Sequence, residues 1–464
     1  MAKDMSRLDA EARALHESWD DVGRVVLIVA LVAAVIWALC TLLKKGVLLG
    51  SHGLLAAVGA APTLTTSAGL VCGLLLAGVF RGILHRRPTW AEVERDGIDV
   101  ALHHYHLTYQ DQIDSPEPRY GLQAFRLALR KALATLVTLG LGGSGGLEGP
   151  VVLIGESVGA GCARVMGARS EHELRTYQLA GIAAAVATLL NAPFTAALFA
   201  IEVVYGDRII YRKLAYALLA GCLAYLLNER VLGHPDPFFV APPHGRTYAF
   251  EEYAVSALVA VAISAPVALG FGLAMKHTRS IVDRGNPLLR SLLGAAGTGA
   301  VALGLAAGLG VDVRHTLGMG DWTLRQLLAG EFTGSVWILA VVLVGRMLTT
   351  AFTVQSGGSA GLLIPSMFLG GVAGAATGSA LQLAGIWPAL DVQLFVVVGI
   401  ASALVAMVGV PLAAIALVLE VFGPQYGPPT ILACGLTYVV TLRLSVYEQR
   451  SSPDPVADET GARA

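Results

Sequence analysis

The segment Gly146-Leu147-Glu148-Gly149-Pro150 occurs a second time, in altered form, as Gly361-Leu362-Leu363-Ile364-Pro365. The glycine and the proline keep the same spacing in both copies, and both copies interrupt apolar, glycine-rich sequence. The first copy carries a carboxylate, Glu148, where the second has Leu363. Repeated glycine–proline breaks in hydrophobic segments are typical of transport sites built between two membrane repeats. A lone carboxylate inside such a segment is a candidate functional residue.

The composition predicts a membrane protein. Of the 464 residues, 55% are hydrophobic and only 14% are charged, and the mean hydropathy is +0.66. Soluble domains carry about a quarter charged residues, so we expect a multi-pass protein that contacts the lipid bilayer. The net charge of -1 argues against a nucleic-acid partner. The five cysteines are scattered without the spacing of a disulfide or a metal site, so no metal and no cofactor is predicted.

Polar segments divide the chain into three parts. Residues 1–24 form a charged N-terminal segment, residues 25–450 the predicted membrane domain, and residues 451–464 a polar tail. The first apolar run lacks the cleavage site of a signal peptide, so it predicts a retained helix. Basic residues near the N-terminus and in residues 81–95 predict that both of these segments lie in the cytoplasm. We expect a protein of the cell membrane with both termini in the cytoplasm. The longest polar stretch, residues 81–120, is interpreted as a loop.

An internal repeat covers much of the membrane domain. Residues 121–205 and 336–423 match as two copies of one unit, at a constant offset through the glycine–proline breaks and at a slightly longer one beyond them. Lys131 falls opposite Arg346 at the first of these offsets. Membrane repeats of this size occur in parallel and in inverted forms, and the residues alone leave both forms open.

The two glycine–proline breaks suit an anion. A helix N-terminus exposes backbone N–H groups and carries a partial positive charge, and glycines let a ligand approach the backbone closely. Two N-termini that point at one position near the membrane midplane bind an anion without a full positive charge. The sequence therefore predicts an anion site at Gly146, Leu147 and Gly149. Lys131 and Arg346 add positive potential if they face inward, and extension to the membrane interface is the alternative.

Glu148 is predicted to be the gate of this site. An ionised carboxylate at that position would itself occupy the anion site, and protonation or an incoming anion would displace it. The same movement would carry a proton. A structural carboxylate bonded to neighbouring amides is the alternative interpretation.

These motifs and their spacing resemble the chloride channel (CLC) family of anion channels and proton-coupled anion exchangers, over residues 25–450. The first copy is similar to the family's gating motif Gly-x-Glu-Gly-Pro, with Glu148 as the gate, and the second to its Gly-x-Phe-x-Pro motif. The resemblance implies an all-α polytopic fold of two antiparallel, inverted repeats. Their broken, re-entrant helices would meet at a midplane anion site. It also implies a homodimer with one pore in each subunit.

The resemblance assigns further anion contacts. In the family, the anion touches the amides at the positions that Leu362 and Leu363 hold in this chain. An anion-coordinating tyrosine lies near the C-terminus of the family's proteins, where this chain has Tyr447.

Three positions depart from the family pattern. The family's Gly-Ser-Gly-Ile-Pro motif has its nearest counterpart in residues 95–99, where Asp96 stands in the place of the anion-coordinating serine. Leu363 replaces a phenylalanine that lines the pore. Val203 replaces the second carboxylate of the exchangers, which slightly favours passive conduction of chloride or a similar small anion. Proton-coupled antiport of chloride or fluoride is the alternative, with Glu202 in the proton pathway.

Other interpretations rest on single motifs. Glu202 and Glu420 hold equivalent positions in the two copies and also fit a shared helix-capping role. Residues 142–146 satisfy Gly-x-Ser-x-Gly, a pattern of serine hydrolases, but the eleven histidines lie in polar loops or at segment ends. A cation or organic-solute carrier would need an acid opposite Glu148, where the second repeat has Leu363. We therefore expect a transport protein and not an enzyme.

Overall fold

The structure, a computed structural model, describes residues 19–59, 61–110, 122–168, 171–206, 208–233, 247–283, 285–332, 334–387 and 389–441. Tyr447 and the predicted tail 451–464 lie outside the described residues, as does most of the predicted N-terminal segment 1–24.

The described part of the chain is helical almost throughout and contains no β-strand. Its first half contains α1 Trp19–Val58, α2 Leu64–Leu84, α3 Ile98–Gln110, α4 Leu122–Gly140, α5 Glu148–Val165, α6 Glu171–Leu190, α7 Pro193–Tyr205 and α8 Tyr211–Leu232. Its second half contains α9 Phe250–Val282, α10 Pro287–Leu309, α11 Asp321–Ala329, α12 Val336–Gln355, α13 Leu363–Leu383, α14 Val392–Val408, α15 Pro411–Leu417 and α16 Gly427–Thr441.

The two halves repeat one another helix by helix. The interval from the start of α2 to the start of α10 equals the interval from α3 to α11. Helices α5 and α13 begin at Glu148 and Leu363, which are equivalent positions of the two sequence motifs. Helices α7 and α15 begin at Pro193 and Pro411, so each has a proline in the first position. The helix order thus shows that the two halves of the chain also correspond in the helices that precede units 121–205 and 336–423.

The repeats are inverted and contact each other through a reciprocal backbone pair. The Gly146 N–H donates to the Gly361 carbonyl at 2.8 Å, and the Gly361 N–H donates to the Gly146 carbonyl at 2.7 Å, in an antiparallel bridge. Reciprocal contact of this kind is what a two-fold axis generates. The predicted fold class is confirmed: an all-α membrane protein of two inverted repeats with broken helices.

Seven of the described helices, α1, α2, α8, α9, α10, α12 and α13, are long and apolar enough to cross a membrane. Leucines on their outer surface, such as Leu42 (71% exposed) and Leu273 (66% exposed), face outward as lipid contacts would require. Helix α7, with 13 residues, is too short to span the hydrocarbon layer. Interrupted helices of this kind are tolerated where the surrounding protein buries them. The chain is therefore a multi-pass membrane protein.

The interpretation of residues 81–120 as a loop is wrong, because α3 occupies Ile98–Gln110. Ile98, Ala101 and Tyr105 are fully buried, at the spacing of one helix face. Three histidines, at positions 103, 104 and 106, interrupt the apolar pattern, so the helical period is difficult to recognise in the sequence.

Glycines bring the broken helices into direct backbone contact. Gly155 of α5 faces the carbonyl of Gly181 on α6, and the equivalent pair, Gly370 of α13 and Gly399 of α14, repeats the contact. A Cβ atom at any of these four positions would collide with the opposite backbone. Small residues permit such close packing in membranes, where the hydrophobic effect does not drive helices together.

Two glutamates cap each other's helices across the repeat interface. Glu202 of α7 accepts hydrogen bonds from the amides of Leu412 (2.9 Å) and Ala413 (2.7 Å) in the first turn of α15. Glu420, which follows α15, accepts from the amides of Phe194 (3.1 Å) and Thr195 (2.9 Å) in the first turn of α7. Each carboxylate thus satisfies two amides that the helix itself leaves without partners.

This exchange predicts equal stability losses for Glu202→Ala and Glu420→Ala. Each variant leaves two first-turn amides unsatisfied, which costs about 1 to 2 kcal/mol for a lost cap. Thermal unfolding in detergent should show similar decreases in melting temperature for both. Glu331→Ala removes an exposed glutamate outside both caps and serves as the control. A loss confined to one of the two capping variants would contradict the symmetric role.

Candidate functional site

Two helix N-termini meet where the repeats touch. Helix α5 begins at Glu148 and α13 begins at Leu363, directly after the reciprocal pair of Gly146 and Gly361. Pro150 lies in the first turn of α5, where its missing N–H removes no intrahelical bond. The first-turn amides of both helices therefore lie close together in the protein interior.

The glycine at position 361 is required by the close approach of the two backbones. A Cβ atom on Gly361 would lie 2.8 Å from the amide nitrogen of Gly149 and 3.3 Å from that of Glu148. A Cβ atom on Gly146 would collide with the Glu148 carboxylate and would lie 3.3 Å from Ile364 Cβ. Any side chain at these positions would therefore fill the space in front of the first-turn amides.

A third N-terminus, that of α3, joins the other two. The chain turns before α3 through Arg95 (φ 57°) and Gly97 (φ 98°), and the Arg95 carbonyl accepts from the Ala360 N–H at 3.2 Å. The second repeat has the equivalent contact, because the Gly145 N–H donates to the Gly318 carbonyl at 3.2 Å, just before α11.

Lys131 and Arg346 hold these two turns. The Lys131 Nζ donates to the carbonyls of Val93 (3.2 Å) and Arg95 (2.8 Å). Arg346 donates in the same way to Leu317 (3.0 Å) and Gly318 (2.9 Å). Both side chains are fully buried, so the alternative that they extend to the membrane interface is wrong. Their charges lie inside the protein, and the electrostatic role that the sequence predicts for them stays a prediction.

Glu148 is fully buried at the start of α5. Neither carboxylate oxygen makes a hydrogen bond of normal geometry within the described residues, and the nearest donors are the amides of Glu148 itself and of Ile364 in α13. Asp96 and Lys44 are the charged groups near enough to act on it electrostatically. The Glu148 carboxylate thus lies beside the N-terminus of α13, the helix that starts at the second glycine–proline break.

Asp96 faces the same convergence of helices. Its Oδ2 accepts from the Leu362 N–H at 2.7 Å, and its Oδ1 accepts from the Ile98 N–H at 3.1 Å. The carboxylate also lies directly against Gly149, where a Cβ atom would clash with it. The side chain is buried. The amide of Leu362, which the family resemblance assigns to the anion, is therefore bonded to Asp96 in this structure.

The other predicted residues lie in different settings. Gly146, Leu147 and Gly149 line the start of α5, and Leu363 is the buried first residue of α13. Glu202 is engaged in the cap of α15, with both oxygens bonded to amides.

Ser144, the serine of the Gly-x-Ser-x-Gly pattern, belongs to the repeat interface. Its hydroxyl bonds to Thr350 at 2.9 Å and to Thr349 at 3.2 Å, and the symmetry-related pair, Thr135 and Ser359, has the same contact at 2.8 Å. These hydroxyl partners serve packing between the repeats, and no contact with a histidine base is present among the described residues.

A cavity of about 500 Å³ lies between α1, α8 and the turn before α11. Among its lining residues are four cationic side chains, Lys44, Lys45, Arg314 and Arg325. Glu148 does not line this cavity, but Lys44 connects the two electrostatically. The sequence analysis missed this feature, since the lining residues come from segments that are far apart in the chain.

Glu156, on α5 two turns beyond Glu148, is a further buried acid, to which the sequence assigned no function. It accepts from Gln178 at 2.7 Å and from Ser157 at 3.1 Å, and it lies 3.8 Å from His104 of α3.

Among the described residues, no group of three or more histidine, cysteine or acidic side chains could hold a metal ion.

Comparisons with known proteins agree with this geometry. A family model described as "Voltage gated chloride channel" matches residues 89–442. A chloride/fluoride channel protein from Pseudomonas syringae pv. tomato is 25% identical over 341 residues, which are 73% of this chain and 71% of that protein.

Two solved structures share the fold over nearly the whole chain. A CLC-type fluoride/proton antiporter matches with a TM-score of 0.74 at 22% identity, covering 93% of this chain and 99% of that one. A slow cyanobacterial Cl-/H+ antiporter matches with a TM-score of 0.73 at 17% identity, covering 94% and 98%. The family model spans well over half of the length of this chain, so the chain belongs to the voltage gated chloride channel family.

Proposed function

We propose that this protein carries chloride, or a similarly small anion such as fluoride, across the membrane through the point where α3, α5 and α13 begin, with Glu148 as the gate. One observation carries the proposal. The buried Glu148 carboxylate faces the first-turn amides of α13 without a hydrogen bond of normal geometry. A structural carboxylate would instead be satisfied, as Glu202 and Glu420 are.

The amides of the three N-termini supply the attraction for an anion. Each N-terminus carries roughly half a positive charge, and the exposed N–H groups point at the ligand. Such amides lie at the start of α13, on Leu362 and Leu363, and at the start of α5, on Leu147 and Gly149. The amide of Leu362 is bonded to Asp96. An ion held by amides alone binds weakly enough to leave, as conduction requires. Glu148 competes for the same amides, and an ion enters when the carboxylate is displaced.

Positive side chains extend this attraction outward. Lys131 and Arg346 add buried positive charge on the two repeats, and the cavity beside α1 carries Lys44 and Arg325. Asp321 also lines the cavity, but the four cationic side chains outnumber it, and a cavity of net positive charge raises the local concentration of anions. We propose that the cavity is the entrance on one side of the membrane.

Passive conduction is the proposed mode of transport. Position 203 holds valine, which cannot carry a proton, and the contacts of Glu202 support a structural role in place of the predicted proton pathway. Proton-coupled antiport is the second candidate, because both solved structures described above are antiporters by their descriptions. Either mode is transport, and we propose no enzymatic activity.

We propose a homodimer that associates through α7, α8, α15 and α16. These helices expose apolar side chains, including Leu226, Ile431 and Val439. Glu420 is also exposed, and a carboxylate that faces lipid is costly. A second copy of the chain would cover it, as symmetric association of membrane subunits allows.

We propose that the protein lies in the cell membrane with both termini in the cytoplasm. Arg290, in the first turn of α10, pairs with Glu94 at 2.5 Å. This pair joins the basic segment that follows α2 to the start of α10, which comes shortly after the C-terminal end of α9 with its basic residues Lys276 and Arg279. Basic residues concentrate on the cytoplasmic side of membrane proteins, and the chain enters α1 from that same side.

Glu148→Ala and Glu148→Gln should both speed anion efflux from liposomes that contain the purified protein. Each removes the charge that competes for the amides of α13, so the site stays available to the ion. Efflux of chloride and of fluoride, measured with ion-selective electrodes, should rise several-fold above the wild type. Glu331→Gln, which neutralises an exposed glutamate, should leave the rate unchanged. Equal efflux from the wild type and both Glu148 variants would exclude the gate.

Passive conduction predicts that a chloride gradient moves no protons uphill. Chloride efflux and external pH should be recorded together from weakly buffered liposomes. Uphill proton movement in the wild type would replace passive conduction with antiport. In that case Glu202→Gln should be compared with Glu420→Gln, because a proton role predicts loss of coupling only in the first.

The dimer predicts that Ile431→Trp on α16 weakens association. The larger side chain would clash at a packed interface, whereas lipid would accommodate it on a monomer. Leu42→Trp on the outer face of α1 is the matched control. Subunit counting by single-molecule photobleaching in liposomes should show more monomers for Ile431→Trp alone. Equal dimer fractions in the two variants would remove α16 from the interface.

A further inference from the structure

We infer that Asp96 is a second tethered anion, which occupies the position that the transported ion must take, so that the ion has to displace Asp96 as well as Glu148. The inference rests on the proposed function and deepens it, because it names a residue that limits which anions bind and how tightly.

The position of the Asp96 carboxylate carries the inference. One oxygen accepts from the first amide of α3, at Ile98, and the other from the amide that precedes α13, at Leu362. The carboxylate also abuts Gly149 in the first turn of α5. It therefore touches all three N-termini that form the proposed anion site, as a bound ion would.

The two acids lie against different amides at the start of α13. Asp96 takes the amide of Leu362, and Glu148 lies against the amide of Ile364, two positions further along. The carboxylates are close enough to act on each other electrostatically. Removal of Glu148 alone therefore frees only part of the site, because the Leu362 amide keeps its bond to Asp96.

Lys131 holds Asp96 in this position. Its Nζ bonds to the Arg95 carbonyl at 2.8 Å, adjacent to Asp96 in the chain, and acts on the Asp96 charge electrostatically. A Cβ atom on Gly97 would lie only 2.8 Å from this Nζ, so glycine permits the approach. The equivalent turn of the second repeat has Met319 between Gly318 and Gly320, so the tethered charge exists in one repeat only.

A tethered carboxylate is a strong competitor. The effective concentration of a group linked to its own site is in the millimolar range even for flexible linkers, and the short side chain of Asp96 is far more restricted than these. A free anion therefore has to compete with the Asp96 carboxylate, which is always close to the same amides. The wild-type protein should bind chloride weakly and transport it slowly, and a neutral residue at position 96 should relieve both effects.

The test uses the full chain with Asp96→Asn, Asp96→Ser and Glu148→Ala, and with Asp96→Ser combined with Glu148→Ala. Asp96→Asn keeps the size of the side chain and removes its charge, whereas Asp96→Ser also opens space. Asp391→Ser makes the same exchange at an aspartate that caps α14 outside the site, and it controls for the replacement of a charged helix cap by a neutral one. Size-exclusion elution and circular dichroism identify the variants that fold.

We expect chloride to bind about tenfold more tightly to Asp96→Ser than to the wild type by titration calorimetry, a difference of about 1.4 kcal/mol. The double variant should release chloride from liposomes about tenfold faster than Glu148→Ala alone. Asp96→Asn should lie between the wild type and Asp96→Ser. Asp391→Ser should match the wild type in both measurements.

Two results would overturn the inference: unchanged chloride binding in both Asp96 variants, or equal efflux from Glu148→Ala and the double variant. Absence of efflux from every folded variant would instead overturn the proposed transport function. Calorimetry would still decide the role of Asp96 in that case, because binding does not require transport.

Discussion

The reciprocal backbone pair between Gly146 and Gly361 is the contact on which the rest of the structure depends. It lies on the pseudo-two-fold axis, so it fixes the position of one repeat relative to the other. A Cβ atom on Gly361 would enter the space of the opposite helix start, and a Cβ atom on Gly146 would collide with the Glu148 carboxylate and press against Ile364 and Pro365. The pair also determines the site. Helices α5 and α13 begin just after it, so their first-turn amides have to lie side by side in the interior.

The contacts that hold the two repeats together follow the two-fold symmetry, whereas the acidic residues at the site depart from it. The structural contacts come in matched pairs, such as the caps by Glu202 and Glu420. The acids at the centre are unmatched, because Glu148 corresponds to Leu363 and Asp96 to Met319. A two-fold site would face both sides of the membrane alike. One acidic repeat and one apolar repeat make the two sides different, which a gated pathway needs.

The sequence predicted the repeat and a helix N-terminus at each glycine–proline break, because glycine and proline act locally on the backbone. It missed α3, where histidines dilute the apolar period. It also left the direction of Asp96 open, since that side chain is held by Leu362, which is distant in the chain. The inward direction of Lys131 is a similar case: its partners are backbone carbonyls, which leave no mark in a sequence. The reciprocal caps depend on how the two repeats face each other across the two-fold axis, and a sequence match between the repeats does not show this.

The charges at the centre explain how a membrane interior tolerates two acids. Three helix N-termini contribute about half a positive charge each, and Lys131 adds one more. With both carboxylates ionised, roughly half a positive charge remains, too little to hold a further anion firmly. Displacement of Glu148 raises the remainder to about one and a half charges, and displacement of Asp96 as well raises it to about two and a half. Under the proposed function, each carboxylate that moves aside therefore strengthens the attraction for the anion, and each carboxylate that returns weakens it, so that a buried site can both bind and release ions.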